Sequence, residues 1–212
     1  MLYIAENTDC LTEDFLAASW PLLSEQRRQK ADSLRTLHGK TDCCAVYIML
    51  RYALMREYGI KQAPVFGYGA QGKPFLRDYP HIRFNMSHAR NAVCVILSDS
   101  ETAVDVSDIR PVRDGVIRRV CGERERRMIY ESADPQTEFF RMWTRKECLS
   151  KLTGEGWEAG FISLTDRSPG AGSVRFYQGK GYVLSYYSEK QDTEIVITDI
   201  ITLPDRLVDE LK

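Results

Sequence analysis

The order of apolar patterns along the chain limits the folds open to it. Apolar residues at helical spacing dominate residues 12–59, and alternating strand-like runs follow over 65–108. After Pro111 the order repeats, with helical patterns first and strand-like runs last. This predicts an α+β protein of two similarly built halves, 1–102 and 103–212, each a small antiparallel sheet packed with helices. No sequence repeat links the halves, so the duplication is inferred from the pattern alone.

Capping and turn residues set the expected element boundaries. Thr12 begins a short helix, a charged helix covers 24–37, and Thr41 or Asp42 caps a stronger helix that ends at Gly59. The other predicted elements are short strands flanking a turn within 65–76, strands over 81–87, 91–99 and 102–109, helices over 114–132 and 135–153, and strands over 173–178, 182–188 and 193–201.

Composition and charge reduce the number of functional classes that suit the chain. The 212 residues carry a formal net charge of −1, whereas dedicated nucleic-acid binders usually show a basic excess. Basic residues concentrate between Arg27 and Lys40, and a local basic patch in a neutral protein suits a small anionic ligand better than a polyanion. We therefore expect no nucleic-acid partner.

Targeting signals and metal-binding cysteine patterns are not visible. The N-terminus MLYIAENTDC has no basic start followed by an apolar run, and no stretch is long enough to span a bilayer. The six cysteines and three histidines are scattered, without C-x-x-C pairs or zinc-ligand spacing. These features predict a cytoplasmic protein with reduced thiols and no membrane partner.

Gly67, Gly69 and Gly72 fit the pattern G-x-G-x-x-G, which in dinucleotide-binding folds lies between a strand and a helix. Here Lys73 and Pro74 follow the third glycine, and the proline does not continue a helix. A dinucleotide fold is therefore disfavoured. Two interpretations stay open: a loop whose amides and Lys73 bind a phosphate, and an ordinary surface hairpin.

Asp105 lies between Val104 and Val106 in an otherwise apolar strand. Residues 103, 105 and 107 share one face of that strand, so the carboxylate lies beside Ser107. A partly buried carboxylate needs a cation or hydrogen-bond donors, and Mg²⁺ takes such oxygen ligands. The alternative is a structural carboxylate that caps a turn or pairs with an arginine.

The long helix at 135–153 carries a polar ridge, because Trp143, Glu147 and Lys151 recur every four residues. Glu147 is either half of a surface ion pair with Lys151 or a second carboxylate for a metal or a base. In the second interpretation, Lys146 and Lys151 neutralise phosphate charge.

Ser87 and His88 end a predicted strand. A histidine there can hydrogen-bond a ligand phosphate, and the serine offers a small hydroxyl. Neighbours on an extended chain point apart, which disfavours a serine–histidine nucleophile pair. A turn without function is the alternative.

Four short motifs occur in order along the chain: Gly72-Lys73-Pro74, residues 84–88 (FNMSH), residues 103–106 (AVDV), and residues 143–147 (WTRKE) with Lys151. In order and spacing they resemble the Sfp-type 4′-phosphopantetheinyl transferases, over roughly residues 20 to 165. Each motif alone is weak, whereas four in the family's order are a strong signal.

The resemblance implies a pseudo-twofold α+β fold that binds coenzyme A in a cleft between its halves. It implies Mg²⁺-dependent transfer of the 4′-phosphopantetheine arm from coenzyme A to a serine of an apo acyl or peptidyl carrier protein, with release of 3′,5′-ADP. Because both halves lie in one chain, we expect a monomer.

By position, the resemblance also assigns roles to individual residues. Asp105 and Glu147 hold Mg²⁺, Glu147 takes the carrier serine's proton directly or through a water, and Lys151 stabilises charge on the phosphates. The nucleotide end is held by Lys40, Lys73, Pro74, Ser87 and His88.

One position departs from the family pattern. The family often has an acid two residues after the strand aspartate, and this chain has Ser107. We expect weaker metal binding, with the serine hydroxyl or a water in that coordination position. Asp108 faces the other way on a regular strand and is not expected to substitute. The alternative function is a non-catalytic coenzyme A- or carrier-binding protein of the same fold.

Overall fold

A computed structural model of the chain describes residues 1–69, 71–154, 172–190 and 192–211. Its α-helices are α1 (Glu13–Ser19), α2 (Glu25–Asp32), α3 (Leu37–Tyr58), α4 (Asp114–Val120), α5 (Glu123–Glu131), α6 (Pro135–Thr153) and α7 (Leu203–Leu211). Its strands are β1 (Leu2–Glu6), β2 (Phe66–Tyr68), β3 (Pro74–Leu76), β4 (Arg83–His88), β5 (Ala92–Ser98), β6 (Thr102–Asp108), β7 (Ser173–Gly179), β8 (Tyr182–Ser188) and β9 (Ile195–Thr198). The predicted α+β class is confirmed.

The strands form two main sheets and a small hairpin. The first sheet has the order β4-β5-β1-β9, and the second has the order β6-β8-β7. The second sheet is antiparallel throughout, whereas β1 and β9 of the first sheet run parallel. Strands β2 and β3 pair with each other, as predicted for the turn between short strands. Ala70, in that turn, lies outside the described residues.

The two main sheets pack against each other, and helices cover their outer faces. Leu2 and Ile4 of β1 share a buried cluster with Val104 of β6, between the sheets. Tyr3 of β1 and Val95 of β5 belong to a separate core with α3. Strands covered on both faces read as continuous apolar runs, which is the pattern of AVCVILS in β5.

Helix α6 covers the outer face of the second sheet. Cys148 packs with Ala103 of β6 and Tyr187 of β8 in one buried cluster. One turn earlier, the hydroxyl of Thr144 lies 2.8 Å from that of Ser185 on β8. Gly154 ends the helix in the left-handed conformation with φ of 74°, which confirms the predicted stop.

Helix α3 begins earlier than predicted. Its N-cap is Thr36, whose hydroxyl accepts a hydrogen bond from the amide of Gly39. The predicted caps Thr41 and Asp42 instead lie inside the helix, and both are buried. The preceding charged helix is correspondingly shorter and ends at Asp32.

The end of the chain returns to the first sheet. Strand β9 was predicted in the C-terminal half, but it pairs with β1, so the first sheet is mixed rather than antiparallel. Helix α7, for which no pattern was identified, buries Leu203 and Leu207 in the core around α3. Among the described residues, no helix combines the length and apolar character needed to cross a membrane. The division at 102/103 stays a prediction.

Candidate functional site

The two sheets meet where β6 runs beside β4, and side chains rather than main-chain ladders join them there. The amide of Val104 donates to the side-chain oxygen of Asn85 at 3.3 Å. The amide of Val106 lies 3.4 Å from the hydroxyl oxygen of Ser87. We call this junction of Asn85, Ser87, Asp105 and Lys151 the seam. Its polar side chains form hydrogen bonds with main-chain groups on the edge of β6 that faces away from β8.

Asp105 is the centre of the seam and is only 7% exposed. Its Oδ1 accepts hydrogen bonds from the hydroxyl of Ser87 at 3.0 Å and from the ammonium of Lys151 at 2.7 Å. Lys151 also donates to the Ser87 hydroxyl at 2.9 Å and to the Val104 carbonyl at 3.1 Å. Three residues predicted from separate motifs are thus in direct contact, and the ammonium compensates the charge of the buried carboxylate.

Helix α6 presents Lys151 and Glu147 from one ridge, because four residues separate them. Thr144 and Cys148, which lie next to this ridge around the helix, hold α6 on the second sheet. Glu147 is half-buried, and the Lys151 side chain is 29% exposed. The ridge therefore lies partly open to solvent next to the seam.

Lys146 lies elsewhere, although it neighbours Glu147 in the sequence. Its side chain is 1% exposed, and its ammonium donates to the Val120 carbonyl and to Glu125, both at 2.6 Å. Glu125 in turn accepts from the amide of Gly122 at the start of α5. The expectation that Lys146 neutralises phosphate charge is wrong, because it joins α6 to the α4–α5 segment.

Lys73 and Pro74 lie at the β2–β3 hairpin, next to the end of α6. The Lys73 ammonium donates to Glu101 and to the Leu152 carbonyl, each at 3.2 Å. A cavity of about 220 Å³ adjoins both residues and is also lined by Phe84. The hairpin therefore borders the region between β4 and the C-terminal end of α6.

The glycine pattern preceding Lys73 belongs to this hairpin. The amide of Gly69 donates to the Lys73 carbonyl, and the amide of Gly72 donates to the Gly69 carbonyl, so both are used within the turn. A strand follows Gly72, which excludes the dinucleotide-binding arrangement. A Cβ at Gly67 would lie 2.3 Å from the Phe75 ring, so that partly exposed ring would have to shift. The surface-hairpin interpretation accounts for all three glycines.

His88 and Lys40 do not reach the seam. His88 lies at the end of β4, and its Nδ1 is 3.4 Å from the carboxylate of Asp42 on α3. Lys40 lines an open groove of about 520 Å³ with Trp20 and Arg35. The structure thus places Ser87, Asp105, Lys151 and the ridge of Glu147 together, and separates His88 and Lys40 from them.

Ser107 and Asp108, which follow Asp105 on β6, bear on the acid that this chain lacks at position 107. Ser107 is half-buried. The Asp108 carboxylate accepts from the amide of Arg90 at 2.9 Å and from the amide and side chain of Asn91 at 3.1 and 2.9 Å. Asp108 thus fixes the β4–β5 turn, which agrees with the expectation that it does not replace an acid at position 107.

The oxygen groups of the seam fit a hard divalent ion. Both hydrogen bonds to Asp105 fall on Oδ1, and within the described ranges Oδ2 accepts none. Over those same ranges, no cluster of three or more His, Cys, Asp or Glu side chains is placed to hold a metal ion. A Mg²⁺ ion bound here would therefore have one or two carboxylate ligands, with ligand oxygens and waters completing its coordination, as Mg²⁺ commonly requires.

The two cysteines nearest the seam are not nucleophile candidates. Burial raises the pKa of the Cys94 thiol to about 12, and burial also raises the pKa of Cys148. The thiolate is the nucleophilic form, and a raised pKa in apolar surroundings makes these thiols unreactive.

The sequence indicated no functional role for three residues that the structure places next to predicted site residues: Asn85, Asp42 and Glu101. Asn85 is an amide inside an alternating strand, and this interruption of the pattern is the signal that identifies it. The roles of Asp42 and Glu101 depend on tertiary contacts with His88 and Lys73, for which the sequence has no local signal.

An α+β chain whose two sheets meet at a buried carboxylate, a hydroxyl and an ammonium has the groups needed to bind a phosphorylated ligand with a metal ion. A sequence model of the 4'-phosphopantetheinyl transferase superfamily matches residues 99–200. That range contains Asp105, Glu147 and Lys151.

Individual relatives extend the match into the N-terminal half. The chain is 27% identical to the 4'-phosphopantetheinyl transferase psf-1 of Bacillus pumilus over 150 residues, 69% of this chain and 64% of that protein. It is 26% identical to Sfp of Bacillus subtilis over 168 residues, 76% and 72% of the two chains. It is 33% identical to the 4'-phosphopantetheinyl transferase HetI of Nostoc sp. over 133 residues, which are 57% of this chain and 56% of that protein. The chain is therefore similar in sequence to the 4'-phosphopantetheinyl transferase superfamily, through the family model over residues 99–200 and through individual relatives that extend the match into the N-terminal half.

Proposed function

We propose that this protein transfers the 4′-phosphopantetheine arm of coenzyme A to a serine of an acyl or peptidyl carrier protein. The observation that carries the proposal is the contact of Asp105 with Ser87 and Lys151 at the seam. Together with the similarity to this superfamily, that contact supports the proposal, because it supplies the charge and the hydrogen bonds that a pyrophosphate substrate needs.

The reaction is a displacement at phosphorus. The hydroxyl oxygen of the carrier serine forms a bond to the phosphorus that bears the pantetheine arm. The bond from that phosphorus to the bridging oxygen breaks, and 3′,5′-ADP leaves with the electron pair. The serine proton passes to a base, and we assign this role to Glu147, directly or through a water.

Asp105 and Glu147 are the residues that would hold Mg²⁺, which neutralises pyrophosphate charge when it is bound. Asp105 suits this role because Oδ2 is not engaged in a hydrogen bond within the described part of the chain. Its Oδ1 is held by Ser87 and Lys151, so the orientation of the carboxylate is fixed before a ligand arrives.

Lys151 contributes positive charge beside the phosphates. Its Nζ lies 2.7 Å from Oδ1 of Asp105, and 29% of its side chain is exposed. Its ammonium donates to three oxygen atoms, so it is held in place beside the seam and can shift one of these hydrogen bonds to an anionic ligand.

The nucleotide end of coenzyme A is assigned to Lys73, Pro74, Ser87 and His88, with Lys40 as a more distant contact. Lys73 and Pro74 border one cavity, and His88 borders a second of about 310 Å³ on the α3 side of β4. We propose that a cleft across the seam joins these cavities and that the two halves are related by a pseudo-twofold axis. The proposal also includes a monomeric state and a cytoplasmic location.

The purified protein incubated with coenzyme A, Mg²⁺ and a panel of apo carrier proteins tests this function. Intact mass of the carrier reports the added arm, with EDTA and Asp105→Ala as controls. We expect modification in the complete mixture and loss of it in both controls. Coenzyme A binding without modification of any carrier contradicts the proposal and supports the non-catalytic alternative.

A further inference from the structure

Lys151 and the proposed Mg²⁺ ion depend on the same carboxylate. The Lys151 ammonium lies 2.7 Å from Oδ1 of Asp105, and the Asp105 side chain is only 9% exposed. A buried carboxylate requires a compensating cation, because little water reaches it. An ammonium on one oxygen and a divalent ion on the other repel each other. The contact between Lys151 and Asp105 therefore opposes metal binding at Asp105.

The Lys151 ammonium is held by more than the carboxylate. It also donates to the Ser87 hydroxyl oxygen at 2.9 Å and to the Val104 carbonyl at 3.1 Å. The Ser87 hydroxyl in turn donates to Oδ1 of Asp105 at 3.0 Å, so lysine, serine and aspartate contact one another. A metal ion that displaces the ammonium must overcome these hydrogen bonds as well as the ion pair.

The protein offers a divalent ion little negative charge at the seam. Asp105 and Lys151 compensate each other, and Glu147 is the one further carboxylate assigned to the ion. Over the described ranges, no group of three or more His, Cys, Asp or Glu side chains is placed to hold a metal ion. Affinity for divalent ions depends on the number of charged ligands. The protein by itself therefore supplies at most one net negative charge.

A pyrophosphate changes this balance in two ways. It accepts hydrogen bonds from the Lys151 ammonium, and the lysine side chain is 29% exposed and can reorient toward it. As the ammonium moves toward the phosphates, Asp105 loses its compensating cation and gains affinity for a metal ion. The phosphate oxygens also add negative charge and ligands of the kind that Mg²⁺ takes.

We infer that Lys151 makes metal binding conditional on coenzyme A, because its ammonium excludes a divalent ion from Asp105 until the pyrophosphate draws the ammonium away. The metal ion and coenzyme A then bind with positive coupling, and each raises the affinity for the other by the same factor. This inference rests on the proposed function and adds the order in which its site is assembled. A lysine that only neutralises phosphate charge does not affect metal binding in the absence of coenzyme A.

Binding of Mn²⁺, which takes the same oxygen ligands as Mg²⁺, tests the inference without turnover. Electron paramagnetic resonance of the unbound ion reports its affinity. Without coenzyme A, we expect Lys151→Gln to bind Mn²⁺ about tenfold more tightly than the wild type, within the range typical of coupling between sites. The glutamine amide still donates hydrogen bonds at the seam but carries no charge. Asp105→Asn added to Lys151→Gln should remove this gain. The matched control is Lys180→Gln, on the exposed β7–β8 turn.

The wild type gives a second measurement that needs no variant. Calorimetric titration of coenzyme A should show at least about tenfold tighter binding with Mn²⁺ than with EDTA. A titration of coenzyme A into Mn²⁺ without protein is the blank. The factor should be smaller in Lys151→Gln, because Asp105 is accessible to the ion in that variant before coenzyme A binds.

Two results overturn the inference. One is an affinity for Mn²⁺ in folded Lys151→Gln, without coenzyme A, that equals or falls below that of the wild type; circular dichroism checks the fold. The other is equal wild-type affinity for coenzyme A with Mn²⁺ and with EDTA. Carrier modification tests the transferase independently, so a modified carrier together with either result refutes only the coupling. Absence of coenzyme A binding to the wild type contradicts both proposals.

Discussion

Helix α6 carries two lysine–carboxylate pairs of nearly equal length that differ in their surroundings. Lys146 lies 2.6 Å from Glu125, with side chains 1% and 9% exposed. Lys151 lies 2.7 Å from Asp105, with side chains 29% and 9% exposed. The first pair is enclosed by protein on both sides, and the second is enclosed only on the carboxylate side.

Enclosure decides what each pair can do. In a fully buried pair, neither residue can exchange its partner for a ligand. Removal of one residue leaves the other's charge in the interior without that partner. A pair whose lysine side chain is partly exposed can redirect its ammonium toward a bound phosphate while the carboxylate stays fixed. The difference therefore assigns Lys146 to the fold and Lys151 to the site, although both belong to the same sequence motif.

The largest expected effect is on stability at the first pair. Lys146→Met should lower the free energy of unfolding by about 3–5 kcal/mol, because Glu125 keeps its charge in the interior and loses this ammonium. Urea denaturation followed by circular dichroism measures the change. Lys146→Met combined with Glu125→Gln removes the charge while an oxygen remains for the Gly122 amide, and it should recover much of the loss. An unchanged urea midpoint in Lys146→Met contradicts the structural role.

The sequence predicted most of the elements but not the roles of these two lysines. Lys146 and Lys151 are five residues apart, which places them about 140° apart around a helix. Which of the two faces the seam depends on which side of α6 packs on the second sheet. That side is fixed by Thr144 and Cys148 against β8 and β6, contacts that the sequence does not reveal.

Contacts between distant segments account for the other differences. Apolar alternation and capping residues predicted β4, β5, β6 and the extent of α6, because those signals are local. The parallel pairing of β9 with β1 depends on a segment nearly the whole chain away. Of the residues predicted to form one site, the structure brings Ser87, Asp105 and Lys151 into contact.

At the second pair the expected effect is on transfer. Lys151→Met should slow carrier modification about 100-fold, the magnitude typical of losing one electrostatic contact in the transition state. The unfolding free energy should fall by only about 1 kcal/mol, because water reaches the exposed side of the pair. Initial rates from intact mass and urea midpoints measure the two effects. Lys180→Met, on the exposed β7–β8 turn, is the control.

The comparison between the pairs fails if Lys151→Met behaves like Lys146→Met. A stability loss of similar size, with a wild-type transfer rate for the folded fraction, makes Lys151 a second structural lysine.

A smaller effect is expected on metal dependence at the seam. Ser107→Glu adds a carboxylate on the face of β6 that carries Asp105, and it should lower the half-saturating Mg²⁺ concentration about tenfold, the lower end of metal-site substitutions. Ser107→Gln adds the same bulk without charge and should leave the titration unchanged. A Mg²⁺ titration of transfer that is the same in Ser107→Glu and in the wild type contradicts the expected weakness of metal binding.

The smallest effect concerns two buried thiols, one beside each pair. Burial raises the pKa of Cys121, near Lys146 and Glu125, to about 11, and that of Cys94, near Lys151 and Asp105, to about 12, from an ordinary value of 9.0. Above pH 9 the unfolded chain loses these protons while the folded chain keeps them. The unfolded state then binds fewer protons, so the stability that is fully present below pH 9 falls as the pH rises.

At pH 9.5 each thiol should contribute about 0.8 kcal/mol of destabilisation relative to pH 7, from the ratio of protonated to ionised thiol in the unfolded chain. Urea midpoints at both pH values, for the wild type and for Cys94→Ala and Cys121→Ala, measure the slope of stability with pH. Each variant should be less stable at pH 7 but should lose less between the two pH values. An equal loss in Cys121→Ala and the wild type shows that water reaches this thiol in the folded protein, and contradicts the enclosure of the neighbouring Lys146 pair.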